Sequence, residues 1–478
     1  MIWPTDGRQE EPQNSAAPVS VMRWILPDVP VGAVRMRIPG KLMTQMLADL
    51  QRPHPFAAER VGFLSVGAGT GEDGEALVIG GEYRAVGDHD YLHDDDVGAR
   101  IGAEAIREAL QWALASGRGV FHVHMHPHRG APDFSFTDAT ELPRLVEAIR
   151  RGTPAAPHGM LVLSRDSANA WVWTAGQPAP CVPVQIAIVD RPMRLISLLR
   201  ASVHDNIGSE RYQRQGFLGL HAESLIGRAR IGVVGLSGGG SHIIQQLAHV
   251  GFRQTRGFDG DHVDESNLNR LVGARAVDAS RRVRKGNVAE RVITGVLPDA
   301  NFVGFHGRWQ ENAELLRGCD VVVGCVDSFA ERQQLEVACR RYAIPYADIG
   351  MDVLQVDHEP PRLAGQLILS MPDAPCMFCL GFLNEERLAR EAARYGAAGD
   401  RPQVVWPNGV LASTAVGLVV DLITGWSGSA GGPVYLSYDG NTGLIQPHPR
   451  LQFLGAKACP HYGAADVGDP ILRRLQRS

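Results

Sequence analysis

The sequence has 478 residues, enough for about three domains of ordinary size, each with a hydrophobic core of its own. Its 47 basic and 52 acidic side chains give a formal net charge of −5, so no overall basic field favours binding to nucleic acid. The seven cysteines are sparse, and because their number is odd they cannot all pair, so a secreted disulfide framework is not expected. The reducing cytoplasm is the expected compartment.

Composition and pattern divide the chain into four predicted segments. Residues 1–30 are polar, contain prolines and lack the apolar stretch of a signal peptide, so we expect a loose leader. Residues 31–185 mix strands and helices as in an α+β domain, and residues 186–210 are expected to be a connector. Residues 211–478 alternate strands with helices, which is typical of a doubly wound, mostly parallel sheet in an α/β fold.

The hydrophobic pattern predicts the elements of both domains in chain order. In the first domain these are strand 33–38, helix 42–50, strands 61–66 and 75–83, helix 100–116, strand 120–126, a helix after residue 135, and strands 160–164 and 170–174. In the second domain they are strand 231–235, helix 241–249, strand 255–258, helix 287–296, strand 321–324, helix 330–342 and strand 345–348. The apolar run 410–426 is interrupted by Asp421, so we interpret it as a buried helix and expect no membrane span.

Histidines alternate along one predicted strand of the first domain. A strand places alternate side chains on one face, so His124 and His126 converge there, and Asp138 at the next helix start adds a carboxylate. Two histidines, one aspartate and a water form the ligand set of a catalytic zinc site, beside which Ser135 could hydrogen-bond an oxyanion. Two alternatives stay open, which are the pair His122 and His124 and a histidine-rich strand without function.

The His-x-His-Pro sequence that begins at His124, with Ser135 and Asp138 after it, resembles the motif of JAB/JAMM (MPN) metalloproteases. The loop before Ser135 is one residue longer than in that family. The family also carries a glutamate in a Glu-x-x-Gly-x-Leu sequence, which Glu59 matches upstream. The resemblance covers residues 31–180 and implies a cytidine-deaminase-like MPN fold. It also implies Glu59 as general acid/base and cleavage of a peptide or isopeptide bond after a ubiquitin-like C-terminus.

A glycine-rich turn follows the first strand of the second domain. Gly235, Gly238 and Gly240 let backbone N–H groups approach a phosphate at the N-terminus of the next helix. Asp259 and Asp261 end the following strand, where a carboxylate suits the two hydroxyls of a ribose. These features alone fit NAD as well as ATP.

The residues after this turn favour ATP. Asn267 and Arg270 lie in the segment Ser-Asn-Leu-Asn-Arg, Lys285 follows, and Asp327 comes soon after the predicted strand 321–324. Arginine and lysine neutralise phosphate oxygens, and a carboxylate such as Asp327 can hold Mg²⁺. Hydride transfer between a nicotinamide and a substrate needs no such set of cations.

Together with Arg214 in the sequence Arg-Tyr-Gln-Arg-Gln, these motifs resemble the ThiF/MoeB/HesA and ubiquitin-activating enzyme superfamily over residues 208–465. Ser237 departs from the glycine usual in the turn of that superfamily. The resemblance implies a Rossmann-like adenylation domain and a homodimer in which Arg214 acts across the interface. It also implies a role for each motif residue: ribose binding by Asp259, a phosphate clamp by Arg270 and Lys285, and magnesium binding by Asp327.

Cysteines near the C-terminal end of the sequence indicate a candidate structural metal site. Cys376 and Cys379 form a Cys-x-x-Cys pair, which superfamily members commonly complete with a second pair to hold a structural zinc. Here Cys459 is followed by His461, and Tyr462 stands at the position of the fourth cysteine, so His461 is the expected fourth ligand. A degenerate site with buried thiols is the alternative.

A thioester-forming cysteine is not evident from the sequence. Residues 381–457, where activating enzymes of this kind carry one, contain no cysteine. We interpret the remaining cysteines as packed side chains, namely residues 181, 319, 325 and 339.

The two resemblances together predict a fusion of a JAMM peptidase with a ubiquitin-like-protein-activating domain. The second domain would adenylate the C-terminal glycine of a β-grasp modifier with ATP and Mg²⁺, and the first would use Zn²⁺ to process or remove that modifier in a bacterial conjugation system. Expected partners are the modifier, a ubiquitin-conjugating-type enzyme and a second copy of the chain. The alternatives are activation of a sulfur-carrier protein for thiocarboxylate formation, a non-catalytic modifier-binding scaffold, and more remotely an NAD-dependent oxidoreductase.

Overall fold

Two eight-stranded sheets organise the part of the chain that the computed structural model describes. The described residues are 29–55, 57–94, 97–197, 210–355, 358–393, 402–429, 431–455, 459–463 and 466–471. All but two residues of the predicted leader lie outside these ranges, as does most of the second half of the predicted connector.

The first sheet is formed by strands from the first two hundred residues. The elements in chain order are β1 (Val31–Pro39), α1 (Gly40–Leu50), β2 (Val61–Thr70), β3 (Ala76–Ala85), β4 (Tyr91–Leu92), β5 (Arg100–Ile101), α2 (Ala103–Ser116), β6 (Gly119–Met125), α3 (Phe136–Arg150), β7 (His158–Leu163), β8 (Ala168–Trp173), β9 (Val182–Val189) and β10 (Arg194–Ser197). The strand order across the sheet is β10-β9-β1-β3-β2-β6-β7-β8, and β4 and β5 pair separately. Every element predicted between residues 33 and 174 is therefore present.

Part of the predicted connector belongs to this sheet, which corrects the sequence analysis. Residues 186–189 continue β9, which pairs in parallel with β1, and residues 194–197 form β10, which pairs antiparallel with β9. Ile186 and Ile188 are almost completely buried. A strand buried on both faces is a near-continuous apolar run without apolar–polar alternation, so periodicity alone does not distinguish it from other apolar segments.

The second sheet is formed by strands from residue 230 onward. The elements in chain order are α4 (Ala222–Arg228), β11 (Arg230–Val234), α5 (Gly238–Val250), β12 (Gln254–Phe258), α6 (Ala276–Ser280), α7 (Lys285–Val296), β13 (Asn301–Phe305), α8 (Ala313–Arg317), β14 (Val321–Gly324), α9 (Phe329–Arg341), β15 (Tyr346–Leu354), β16 (Arg362–Ser370), α10 (Glu385–Ala393), α11 (Val405–Thr424), β17 (Val434–Asp439) and β18 (Leu444–Pro447). The strand order is β13-β12-β11-β14-β15-β16-β17-β18. The first five strands of this order are parallel, and four of them match predicted strands, whereas β13 was not predicted. The strands from β15 to β18 pair antiparallel, so the sheet is mixed.

The long apolar helix α11 packs inside the second unit. By length and composition it is the one helix among the described residues that could cross a membrane, but 67% of its most apolar window is buried. Leu411, Ala415, Val419 and Ile423, spaced four residues apart, are all buried. The predicted buried helix is confirmed, although it begins before residue 410 and ends before Trp426.

A buried arginine joins the two sheets. Arg37 on β1 is 3% exposed and donates hydrogen bonds to the carbonyl oxygens of Arg317 and Cys319, both at 2.8 Å, and of Tyr342 at 3.0 Å. These carbonyls lie at the C-terminal ends of α8 and α9, where a helix has no partners of its own for them. Burial lowers the pKa of Arg37 to about 10, against the opposing effect of Asp320, so the guanidinium stays charged at neutral pH.

The two units also share one hydrophobic core. Leu77 and Ile79 of β3 and Val189 of β9 belong to the same buried cluster as the strands and helices of the second sheet. Acidic side chains of the first unit reach the second sheet as well, because Glu72 accepts a hydrogen bond from Arg256 at 2.9 Å. The described parts of the two units are therefore held in one fixed arrangement.

We expect Arg37→Met to lower the free energy of unfolding by about 3 kcal/mol or more, because three buried carbonyl oxygens lose their donor at once. Chemical denaturation followed by circular dichroism measures the change. The matched control is Arg194→Met on β10, an exposed arginine for which we expect a change of less than about 0.5 kcal/mol. Equal unfolding midpoints for the two variants would contradict the interface described above.

Candidate functional site

Four side chains of the predicted zinc motif meet at the ends of two interior strands of the first sheet, β2 and β6. β2 is antiparallel to β6, with Val61 opposite His124, so the start of one strand lies beside the end of the other. Glu59 lies two residues before the start of β2 and therefore reaches His126, which follows β6 directly. Asp138 comes from the first turn of α3, which begins after the loop that leaves β6.

The distances between these groups suit a metal ion. His124 Nε2 lies 3.4 Å from Asp138 Oδ2, and His126 Nε2 lies 3.8 Å from the same oxygen and 3.9 Å from Glu59 Oε1. Ligand atoms of Glu59, His124 and His126 all lie within 4.8 Å of one another. Both ring nitrogens of His124 are buried and have no well-aligned hydrogen-bond partner among the described residues. Leaving a buried imidazole unsatisfied is costly, so these residues fit a bound cation.

Ser135 fixes Asp138 in place. Ser135 is the N-cap of α3, its Oγ accepts from the Asp138 backbone N–H at 3.1 Å, and its own N–H and hydroxyl donate to Asp138 Oδ2 at 2.8 and 2.7 Å. Burial acts to raise the pKa of Asp138, but contact with His124 and these hydrogen bonds lower it well below its usual range. The Ser135 hydroxyl is thus engaged with Asp138 here, and its role toward an oxyanion stays a prediction.

Glu59 is partly buried beside Gly98, a residue that the sequence analysis missed. Burial raises the pKa of Glu59, with the nearby His124 acting in the opposite direction. The Glu59 backbone N–H donates to the Gly98 carbonyl at 2.9 Å, and a Cβ on Gly98 would lie 2.9 Å from the Glu59 carboxyl carbon. Because Gly98 has no side chain, there is space for the Glu59 carboxylate. Nothing in the sequence around Gly98 indicates this contact.

His122 lies deeper on the same face of β6. Its ring centroid is 5.6 Å from that of His124, and burial lowers its pKa to about 3, so it is neutral at physiological pH. Glu59 and Asp138 both approach the pair His124 and His126, which favours this pair over His122 and His124 as the metal-binding histidines.

The predicted glycine turn of the second unit has the geometry that only glycine allows at two positions. Gly235 has φ of +86°, and a Cβ there would lie 2.6 Å from the Cys325 carbonyl oxygen. A Cβ on Gly240 would lie 1.8 Å from the Gly235 carbonyl oxygen. The helix α5 begins at Gly238, and the buried Oγ of Ser237 before it has no hydrogen-bond partner within the described chain. The N-terminus of α5 is therefore suited to a phosphate.

Asp259 and Lys285 meet beside this turn. Asp259 accepts hydrogen bonds from the backbone N–H groups of Leu236 at 2.8 Å and of Asp261 at 2.9 Å, which ties the turn to the end of β12. Lys285 Nζ lies 2.8 Å from Asp261 and 3.9 Å from Asp259, and the residue is only 6% exposed. Burial raises the pKa of Asp259, and the nearby charge of Lys285 opposes this shift. The structure therefore brings these three predicted residues together.

Asn267 and Arg270 border the same region in a short turn. The Asn267 side-chain oxygen accepts from the Asp264 backbone N–H at 3.2 Å, which holds the turn together. Arg270 Nη1 donates to the Ser266 carbonyl at 2.6 Å and to Asn269 Oδ1 at 2.9 Å. The buried Nε of Arg270 has no partner in the described structure, so the guanidinium retains a donor for an anionic ligand.

Asp327 follows β14 and is contacted by Gln403, which the sequence analysis missed, as it did Asn408 near the glycine turn. Gln403 Nε2 donates to Asp327 Oδ1 at 2.9 Å. Asn408 in the first turn of α11 approaches the glycine turn, because its Nδ2 lies 2.7 Å from where a Cβ on Gly238 would stand. The one available signal was a pair of amide side chains at the start of a long apolar helix, and we attached no function to it.

Arg214 stands apart from the other predicted site residues. It is exposed on a 3₁₀ segment, Glu210–Leu218, and no hydrogen bond or ion pair joins it to another described residue of the site. Its action across a homodimer interface stays a prediction.

The four predicted ligands near the C-terminal end form a compact cluster. Cys379 Sγ lies 3.6 Å from Cys376 Sγ and 3.7 Å from Cys459 Sγ, and His461 Nδ1 lies 3.3 to 3.9 Å from the three sulfurs. A tetrahedral zinc ion would separate two thiolates by ~3.8 Å and a thiolate from an imidazole nitrogen by ~3.5 Å. A disulfide would need ~2.05 Å between sulfurs. Tyr462 does not complete the set, because its hydroxyl donates to Glu336 Oε2 at 3.3 Å.

The other cysteines are packed, as predicted. Burial raises the pKa of Cys319 to about 12, and burial also raises the pKa values of Cys181, Cys325 and Cys339. A thiol with a raised pKa is a poor source of the nucleophilic thiolate. Each of these four is therefore a poor fit to a thioester-forming role.

A family model accounts for the second unit. The ThiF family model matches residues 212–454, which is 243 of the 478 residues and includes the glycine turn, Asp259, Lys285 and Asp327. The chain belongs to the ThiF family. This membership agrees with the Rossmann-like arrangement of β11 to β15 and with the second of the two resemblances noted from the sequence.

Individual curated proteins and solved structures are similar to part of the chain. The chain spans 61% of the length of the SAMP-activating enzyme E1 of Haloferax volcanii, with 31% identity over 176 residues, or 36% of this chain. It is 25% identical over 268 residues to the sulfur carrier protein ThiS adenylyltransferase of Escherichia coli, covering 55% of this chain and 97% of that protein. A structure of Escherichia coli MccB with ATP has 17% identity and a TM-score of 0.41, covering 51% of this chain and 72% of that one.

Proposed function

We propose that the second unit adenylates the C-terminal carboxylate of a small β-grasp protein with ATP and Mg²⁺, forming an acyl-adenylate and releasing pyrophosphate. The observation that carries this proposal, within a ThiF-family chain, is that Asp259 and Lys285 meet beside the glycine turn from Gly235 to Gly240, and that Gln403 links Asp327 to the same turn. Asn267 and Arg270 are the further residues predicted to bind the nucleotide. Adenylyltransferases are among the similar proteins, and one is named for activating SAMP and another for the sulfur carrier ThiS.

The polar groups around the glycine turn fit ATP. Ser237 Oγ and Arg270 Nε are buried donors without partners among the described residues, and phosphate oxygens are acceptors that would satisfy them. Lys285 and Arg270 would stabilise charge that develops on the α-phosphate, and Asp259 would bind the ribose hydroxyls. Asp327 would hold Mg²⁺, which shields the phosphate charge from the incoming carboxylate.

A ubiquitin-like modifier is the favoured substrate, and a sulfur-carrier protein is the alternative. Both classes offer a C-terminal glycine carboxylate, so the adenylation step is the same chemistry for each. The candidate metal site of the first unit supports the modifier, because the peptidase proposed below would act on the same C-terminal tail. Transfer of the activated carrier to a ubiquitin-conjugating-type enzyme would indicate a modifier, whereas its reaction with a sulfur donor would indicate a sulfur-carrier protein.

ATP–pyrophosphate exchange with purified protein and candidate β-grasp proteins tests this function. We expect exchange only when ATP, Mg²⁺ and a carrier with an intact C-terminal glycine are all present. The matched control is the same carrier without its last residue, for which exchange should fall to background. Folded protein that gives no exchange with any carrier would contradict the proposal.

We propose a second function for the first unit, which is zinc-dependent hydrolysis of a peptide or isopeptide bond after the modifier. His124, His126 and Asp138 would bind Zn²⁺, which when bound activates water and polarises a carbonyl group. Glu59 would accept and return the proton, since burial raises its pKa toward the range useful for that role. The convergence of these four groups supports this proposal; a non-catalytic binding scaffold is the alternative.

We also propose that the cysteine cluster binds a structural zinc ion. Its ligand set would be Cys376, Cys379, Cys459 and His461, whose spacing fits a tetrahedral ion. The proposed organisation of the chain is then the leader 1–30, a peptidase unit and an adenylation unit in a cytoplasmic homodimer.

A further inference from the structure

Gln403 contacts three parts of the proposed nucleotide site. Its side-chain Nε2 donates to Asp327 Oδ1 at 2.9 Å. Its backbone carbonyl accepts from Asn269 Nδ2 at 3.2 Å, in the segment that carries Arg270. Its Oε1 lies 3.2 Å from the position of a Cβ on Gly238, so the side chain also borders the glycine turn.

The Gln403 amide has no part in starting the helix that follows it. The N-cap of α11 is Val404, and no side chain caps that end of the helix. Inside the first turn, Asn408 Nδ2 donates to the Val404 carbonyl at 3.0 Å. The Gln403 amide instead crosses 76 positions of sequence to reach Asp327. Its place is therefore explained by the site and not by the local backbone.

We propose that Gln403 is a positioning residue that orients the Asp327 carboxylate for the Mg²⁺ of bound Mg·ATP, an inference that rests on the proposed adenylation function. A hydrogen bond to one carboxylate oxygen restricts rotation of the group, and a neutral amide does so without adding charge. Mg²⁺ requires near-octahedral geometry and binds through only one or two carboxylates, so the orientation of a single carboxylate matters. A carboxylate held in one orientation binds the ion more tightly than one that rotates.

Calorimetric binding of ATP to the full-length chain tests this role without relying on activity. For Gln403→Met, which keeps the length of the side chain but removes the amide, we expect ATP to bind about tenfold more weakly in Mg²⁺. In EDTA, where Asp327 has no ion to hold, we expect its affinity to stay within about twofold of the wild type. The difference between the two conditions is the readout that a merely structural role would not produce.

Two further variants sharpen this test. Gln334→Met on α9 removes an exposed amide that is hydrogen-bonded to Gln310 at 2.8 Å, and we expect unchanged binding in both conditions. In an Asp327→Ala background, Gln403→Met should have no further effect, because its action passes through Asp327.

Three results would overturn the inference: unchanged binding in Mg²⁺, equal losses in Mg²⁺ and EDTA, or a further tenfold loss in the Asp327→Ala background. A folded wild-type chain that binds ATP in neither condition would instead overturn the adenylation proposal and, with it, this inference. The two failures are therefore distinguishable.

Discussion

Lys285→Met is expected to lower the rate of ATP–pyrophosphate exchange by about 10²- to 10³-fold. Lys285 is a buried ammonium group at the start of α7, held beside Asp261 and Asp259 at the end of β12. In the proposed reaction a carboxylate attacks the α-phosphate, and negative charge accumulates on the phosphate oxygens. A fixed cation in a partly water-excluded site stabilises that charge most when it is greatest, so its loss affects the transition state more than ATP binding.

The chain offers a matched control for this experiment. Lys41 is the other lysine within the described residues, and it is exposed and donates to the Asp373 carbonyl at 2.7 Å. Lys41→Met removes the same charge from the surface, and we expect exchange within about twofold of the wild type. Comparable exchange by Lys285→Met and Lys41→Met would contradict the phosphate-clamp role. A circular dichroism spectrum and a melting curve would show that both variants fold.

Residues that lie in short motifs could be located from the sequence. His124 and His126 alternate on a strand, and the glycine turn precedes a helix, so spacing along the chain already determines which groups meet. The same reasoning applies to Cys376 and Cys379, whose sulfurs lie 3.6 Å apart. Local geometry is enough to bring such groups together, whatever the rest of the fold does.

Gln403 and Gly98 could not be located in this way. Gln403 meets Asp327 only because α11 packs against α5, β15 and β16 with its start beside the glycine turn, and that placement depends on packing across the whole unit. Gly98 matters only because the chain before α2 passes beside Glu59. Such contacts between distant segments leave no periodic pattern, and a single sequence read by itself offers no other signal for them.

The antiparallel part of the second sheet was missed for a related reason. Four of the five parallel strands were predicted from their alternation with helices along the chain, whereas the incompletely buried β13 was not. Residues 362–370 form β16, which follows β15 closely in the chain and pairs with it. The strands β17 and β18, within residues 434–447, join the sheet only after α10 and α11. The order in which such late strands return to a sheet is decided by tertiary packing, so the pattern predicted a mostly parallel sheet where the structure has a mixed one.

Glu59→Gln is expected to lower hydrolysis of a modifier fused through its C-terminal glycine to a test peptide by about 10²- to 10⁴-fold. The amide is nearly isosteric with the carboxylate but cannot take up a proton at neutral pH. Glu104→Gln is the matched control, because Glu104 is exposed on α2 and paired only with Arg107, and we expect no effect on hydrolysis.

Metal analysis separates loss of proton transfer from loss of the metal. We expect about two zinc ions per chain in the wild type, one for each cluster, and the same content in Glu59→Gln. His124→Ala should lose about one of the two ions together with hydrolysis, because it removes a ligand rather than a base. Glu59→Gln protein that keeps its zinc and cleaves at the wild-type rate would contradict the general-base role.

Wild-type protein that carries zinc in the first unit but cleaves no modifier fusion would favour the binding scaffold, since the same four side chains can hold an ion without turning over a substrate.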